Sequence, residues 1–436
     1  MENGASKNSF TFQLLSNLKC HTPNTIYILT FIYSSILILL GFMVERPENL
    51  LSGLYQITFN PGNLLTDYIE IANLGSALVN SGLTTIVSIF IIWFSKAPQT
   101  GLLTASLYTM CGFSFFGKNL LNSLPIILGV YLFSKYNKKP FANYILPSLF
   151  GTSLAPAVSM LAFGFDLPIG LGLFVGILAG LAIGFILPPL ANHFVAFHRG
   201  FNLFNLGFTG GMVGMLYAAI LRAFNLEIGT VSRISSGNNL FLAMLLSITC
   251  LFLCLLGFYY NDKSFRHYNA LFVSHKNHMT DFTVDEGPGL ALFNMGTVGL
   301  IGIAYIFLVG GNLDGPVVGA LFTLIGFSAY RVQPFNYLPV LAGVFLASLF
   351  TNVETSSTGV LVAALFSSTL APISSYYGIF AGIIAGALNL VLVNNVGILH
   401  GGVNLYNNGF SGGFVAAFLV PVLDKLQHKN WRKQLF

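Results

Sequence analysis

The sequence predicts an all-α, polytopic membrane bundle of about 12 to 14 segments, built from two tandem repeats with broken or re-entrant helices. Three observations carry that prediction. Charged residues make up 8% of the 436-residue chain, against ~25% in soluble proteins, too few to cover a soluble surface. Hydrophobic residues make up 55%, and residues 355 to 423 hold no Asp, Glu, Lys or Arg at all, far beyond the ~18 apolar residues that indicate a membrane helix. Third, the chain repeats itself.

The repeat is clearest where Gly200-Phe-Asn-Leu-Phe-Asn-Leu-Gly-Phe-Thr-Gly-Gly211 meets Gly402-Val-Asn-Leu-Tyr-Asn-Asn-Gly-Phe-Ser-Gly-Gly413, with eight of twelve positions identical. Thr66-Asp67, Asn80, Gly112-Phe-Ser114 and Asn122-Ser-Leu-Pro125 find counterparts in Thr280-Asp281, Asn294, Gly326-Phe-Ser328 and Asn336-Tyr-Leu-Pro339, all at an offset of 214. Ser153-Leu-Ala-Pro156 meets Thr369-Leu-Ala-Pro372 at an offset of 216. The organisation that follows is a polar tail over 1–24, repeat 1 over 25–225, a linker over 226–237, repeat 2 over 238–425 and a basic tail over 426–436.

In order, Ile26 to Val44 reads as a retained first span, because Glu45, Arg46 and Pro47 follow it in place of a small-residue cleavage site. The acidic stretch Glu45 to Glu70 reads as a loop, with Asp67 and Asp281 as solvated helix caps. Segments 74–95, 100–117, 119–134, 141–163, 168–192 and 203–224 complete the first copy. The third and fourth are short and nearly contiguous, so they are two short spans or one re-entrant hairpin. Seven crossings with a cytoplasmic N-terminus put 15 of 19 basic residues inside, while six crossings put 13 there. The positive-inside tendency therefore favours inverted over parallel repeats, with both termini cytoplasmic.

Gly207-Phe-Thr-Gly-Gly211 and Gly409-Phe-Ser-Gly-Gly413 are polar breaks in apolar runs, tolerable in hydrocarbon only when buried in protein or lining a cavity. Thr209 and Ser411 are expected to cap half-helices starting at Gly210 and Gly412, whose N-termini suit acceptor-rich or anionic solutes. Close helix packing is the alternative use of Gly210, Gly211, Gly412 and Gly413. The duplicated amides Asn80/Asn294, Asn122/Asn336, Asn202/Asn404 and Asn205/Asn407 either replace a solute's hydration shell or tie broken helix ends together. Ser153 and Thr369 are secondary lining candidates, and His198 and His400 are candidate proton relays.

These residues point to a channel or permease for a small polar solute, bound between the repeats. A proton-coupled secondary transporter and a membrane-embedded enzyme are the alternatives. No catalytic set, cofactor or metal site is expected. Zinc and phosphate-loop motifs are missing, and Cys20, Cys111, Cys250 and Cys254 lack metal or disulfide spacing. The expected partners are the solute and the bilayer, with a homo-oligomer allowed. Nucleic acid is excluded because the basic residues form only short clusters.

With Gly112-Phe-Ser114, Phe116-Gly-Lys-Asn119 and the terminal Asn-x-Gly-Phe-Ser-Gly-Gly413 signature, the chain resembles over its full length a family of bacterial inner-membrane proteins that carries a domain-of-unknown-function label. That resemblance implies a bacterial plasma-membrane protein and brings no substrate or site. A looser similarity is to urea transporters, two inverted repeats each ending in a Tyr/Phe-Asn-Gly motif. Phe204-Asn205-Leu-Gly207 and Tyr406-Asn407-Asn-Gly409 carry an extra residue between Asn and Gly, so substrate identity is not carried over.

Overall fold

The computed structural model describes residues 25–62, 65–226, 228–229, 232–272 and 281–433. The tail over 1–24, Cys20, Lys276 and Thr280 lie outside the described residues. Repeat 1 contains α1 (Thr25–Val44), α2 (Pro47–Thr58), α3 (Tyr68–Ile71), α4 (Leu74–Ser95), α5 (Gly101–Phe113), α6 (Leu120–Tyr136), α7 (Ile145–Gly151), α8 (Ala155–Phe163), α9 (Ile169–His198) and α10 (Asn205–Ala223). Repeat 2 contains α11 (Asn239–Tyr260), α12 (Phe282–Leu308), α13 (Gly315–Ser328), α14 (Pro334–Phe350), α15 (Thr358–Phe366), α16 (Ala371–Tyr377), α17 (Ile379–Val396) and α18 (Asn407–Lys433). Ten helical segments among the described residues, α7–α8 and α15–α16 each counting as one, are long and apolar enough to cross a membrane. Helices α5, α6, α13 and α14 are shorter and apolar.

Small residues set the packing. Helix α1 lies on α4, where a Cβ on Gly41 would stand 2.7 Å from Gly75 O. Helix α6 lies on α9 across Gly129 and Gly184, whose added Cβ atoms would each come within 3.0 Å of the other's Cα. Such approach gives helices their van der Waals attraction where lipid supplies no hydrophobic drive. The counterpart pairs α11–α12 and α14–α17 pack in the same way.

The two repeats are inverted. Helices α5 and α13 are counterparts, and they run antiparallel: Gly112 lies on Gly319, while Gly326 lies on Ala105 and Tyr108. Hydrogen bonding gives the same answer. Asp67 precedes α4, whose 22 residues rise ~33 Å before the chain reaches Gly101. Gly101 N donates to Asp281 at 3.0 Å, so Asp281 stands at the end of the molecule opposite its own counterpart Asp67.

Several local expectations change. Asp67 is not solvated; it is fully buried and accepts from Ile69 N, Ser235 N, Ser235 Oγ and Gly315 N at 2.5–3.0 Å. The acidic stretch after α1 is not all loop, since α2 buries Leu50, Gly53 and Ile57 against α4. Thr209 and Ser411 do not start their helices. Helices α10 and α18 begin at Asn205 and Asn407, and the Thr209 hydroxyl donates back to Asn205 O at 3.0 Å. The basic segment over 426–436 continues α18 as far as Lys433.

Candidate functional site

Helices α10 and α18 meet at their N-termini. A Cβ on Gly207 would lie 3.1 Å from Gly409 Cα, and one on Gly409 would lie 2.9 Å from Gly207 Cα. Gly211 faces the Phe410 ring and Gly413 the Phe208 ring. Two amides lock the crossing reciprocally: Asn202 donates to Gly409 O at 2.9 Å, and Asn404 donates to Gly207 O at 3.0 Å. Their side-chain oxygens each accept the amide two residues on, from Phe204 and Tyr406 at 3.2 Å. Each motif therefore satisfies the other's backbone, the condition for an irregular segment inside a membrane.

Segments α7–α8 and α15–α16 brace the crossing. Each bends through a short 3₁₀ turn, Thr152–Leu154 and Ser367–Leu370. Leu405 N donates to Ser153 O at 3.0 Å and Leu203 N to Thr369 O at 2.9 Å. The Thr369 hydroxyl also donates to Asn202 and accepts from Phe204 N. Ser153 Oγ is buried without such a partner and lies 3.2 Å from where a Gly210 Cβ would be. Gly412 is likewise close to Thr369 and Asn202.

The histidines are held by the next amides. His198 Nε2 is 2.9 Å from Asn205 Oδ1, and His400 Nε2 is 2.8 Å from Asn407 Oδ1. Asn205 and Asn407 direct their NH₂ groups to Ala191 O and Val393 O, so their oxygens accept and the histidine Nε2 atoms carry the proton. Asn80 and Asn294 do not line a central cavity. Asn80 donates to Ser114 O and Lys118 O at 2.7 and 2.8 Å; Asn294 donates to Ser328 O and Val332 O at the same distances. They close the turns after α5 and α13, as Asn122 and Asn336 do through Gly117 O and Arg331 O.

A cavity of ≈500 Å³ opens beside the first motif. Asn202, Phe204, Asn205, Gly207, His198 and Arg199 form one wall, Leu102, Asn143, Leu146 and Phe150 face them, and Arg331 and Tyr330 stand at the Asp281 end. Its described lining holds no Asp or Glu. Arg331, stacked on Tyr330 at 4.6 Å, has Asp281 and Asp285 as electrostatic neighbours, Arg199 is paired with Asp424 at 2.6 Å, and the N-terminus of α10 adds a partial positive charge. The same positions at the second motif are packed: Leu405 lies on Gly117, Ile228 lies on Gly401, and Asn407 is buried.

Between the two positions lies an aromatic plug that the motif reading missed. Phe204 and Tyr406 have ring centroids 4.9 Å apart, with Phe327 4.5 Å from Phe204 and Phe113 4.6 Å from Tyr406. Phe150 and Phe366 complete it. All six are paired by the repeat, Phe113 with Phe327, Phe150 with Phe366 and Phe204 with Tyr406, so the offsets of the amide pairs and of Ser153/Thr369 would have found them. Lys118 Nζ lies 4.8 Å over the Phe113 ring and 3.4 Å from Met110 Sδ, fully buried, with no ion pair to a carboxylate among the described residues.

One family model matches residues 46–223 and 260–425, a stretch in each repeat. No curated protein and no solved structure matches the chain.

Proposed function

The chain belongs to the family described as protein of unknown function (DUF1576), and from that premise we propose that this multi-pass membrane protein is a gated permease for a small polar solute, neutral or weakly anionic. The observation that carries this reading is the acid-free cavity of ≈500 Å³ set against the crossing of two inverted polar breaks. Asn202, Asn205 and the first turn of α10 supply donors and acceptors for a solute leaving water, and the helix N-terminus favours electron-rich groups. The aromatic plug and the packed second position support a gate that opens to one side at a time rather than a continuous pore. In a bacterial plasma membrane, the basic-residue distribution supports an orientation with the Asp281 end and the cavity mouth toward the cytoplasm.

One observation favours proton coupling as a second reading. Lys118 has only Val332 as its counterpart, so its amino group sits beside the plug in one repeat alone. A buried ion without a partner costs several kcal/mol, so burial opposes protonation of Lys118, and proton uptake or release there as the plug rearranges would link the two. Catalysis is not part of the proposal, since His198 engages Asn205 rather than a hydroxyl or thiol.

A thermal-shift screen of the purified protein against small polar solutes tests the binding step. A solute held in the cavity raises Tm, and Leu146→Trp, which fills the cavity, removes that shift. A broad panel giving no shift, or a shift untouched by Leu146→Trp, counts against the site.

A further inference from the structure

A second cavity, of ≈880 Å³, lies on the outer face between α4, α6 and α9. We propose that it binds one glycerophospholipid with a net negative headgroup, its acyl chains along α6 and its phosphate at Lys135. This inference is independent of the permease reading.

The groove has the dimensions and polarity of a lipid slot. Leu121, Leu124, Leu128, Tyr131 and Lys135 line it at steps of three and four residues, one stripe down one helix face. From Leu121 to Lys135 the stripe is ~21 Å long, enough for the ~15 Å depth of one leaflet. Its floor is apolar until the last turn, where Lys135 Nζ lies 5.1 Å over the Tyr131 ring. An amphipathic ring under an ammonium is the arrangement expected at headgroup level.

Charge selects the headgroup. Lys138 and Lys139 follow Lys135, and Lys96 caps the end of α4 beside the lining residue Ser95. Between Glu70 and Asp166 the chain has no Asp or Glu to neutralise them. Repeat 2 supplies an internal control: on α14 the corresponding residues are Phe335, Leu338, Ala342, Phe345 and Leu349, and the next charged residue is Glu354. The duplicated architecture thus keeps the apolar stripe and drops the cation, so the lysines are not a requirement of the fold. A second copy of the chain is a poor occupant, because a two-fold interface here would bring the same lysines of both copies together.

The test uses the full-length protein, extracted and exchanged into equimolar phosphatidylglycerol and phosphatidylcholine of matched chains, with bound lipid counted by native mass spectrometry. The wild type should retain one phosphatidylglycerol in preference to phosphatidylcholine. Lys135→Gln should lower that preference about fivefold, the weight of one basic residue at an anionic surface. Leu128→Trp, which obstructs the groove with every lysine intact, should release the lipid whatever its headgroup. Equal retention of the two lipids by the wild type, or a preference unchanged in Lys135→Gln, overturns the proposal. So does a wild-type dimer that Leu128→Trp dissociates, since a second copy would then be the occupant.

Discussion

Asp281 binds the Gly101 amide through both carboxylate oxygens at 3.0 Å, across 180 residues of sequence, and thereby caps a helix of the opposite repeat. Asp67 does the same for Gly315 at 2.9 Å. Each repeat thus completes the N-terminus of a short helix in the other, and the pair fixes the antiparallel register of α5 and α13.

Removing either cap should destabilise the protein unequally. Asp281→Ala should cost about 0.5–2 kcal/mol, the range for loss of an N-cap. Asp67→Ala should cost more, because it strands four buried donors at about 1–3 kcal/mol for each that stays unsatisfied. Thermal unfolding of both variants in one detergent checks the order; a smaller loss for Asp67→Ala would refute the capping account.

These links also mark what the sequence could reveal. The spans, the tandem repeat and the convergence of the two glycine motifs follow from apolar runs and from residue identity at fixed offsets. The long-range partners of Asp67 and Asp281 do not, because an isolated Asp ahead of a helix looks the same whether it caps its own helix alone or also one 248 residues away. Helix α2 was hidden by charge, since Glu45, Glu48 and Glu70 make a polar stretch whose buried stripe is only Leu50, Gly53 and Ile57. The duplicated amides pointed to important positions without separating two jobs: Asn80 and Asn294 close turns, whereas Asn205 reaches the cavity.

The aromatic plug should control leak. Tyr406→Phe keeps the ring and loses the hydroxyl contacts with Thr109 at 2.8 Å and with Thr323, so it should leave vesicles as tight as the wild type. Phe204→Ala should raise unselective efflux of a small dye at least ~tenfold, a barrier lower by ~1.4 kcal/mol. Equal tightness of the two variants would mean that the rings only fill space.

Stability should depend on pH through Asp314, the buried cap of α13. Burial raises its carboxyl from 3.8 to about 7, and burial moves Asp281 in the same direction. A carboxyl raised on folding keeps its proton in the folded state over that interval, so stability falls as pH rises through it and levels off above. Asp314→Asn keeps an acceptor for Val317 N, now 2.9 Å from Asp314 Oδ1, and should flatten Tm between about pH 4 and about pH 7. A slope equal to that of the wild type would assign the effect to another group.

Lys118→Met keeps the length of the side chain and removes its amino group. Tm should rise, because a fully buried amino group without a carboxylate partner among the described residues is replaced by an apolar side chain, and any dependence of flux on a pH gradient should disappear. Gradient-dependent flux that survives in Lys118→Met rules out Lys118 as the coupling residue and leaves the uncoupled permease standing.

The central claim is that solute passes the crossing of α10 and α18 by way of Asn205. It is tested most directly by stopped-flow flux of a panel of small polar solutes into vesicles containing wild type or Asn205→Leu at equal insertion. At least one solute should equilibrate faster than in protein-free vesicles, and Asn205→Leu should slow it at least ~tenfold, the effect of ~1.4 kcal/mol on a barrier. Wild-type vesicles no faster than lipid alone for every solute, or full flux through Asn205→Leu, would contradict the account.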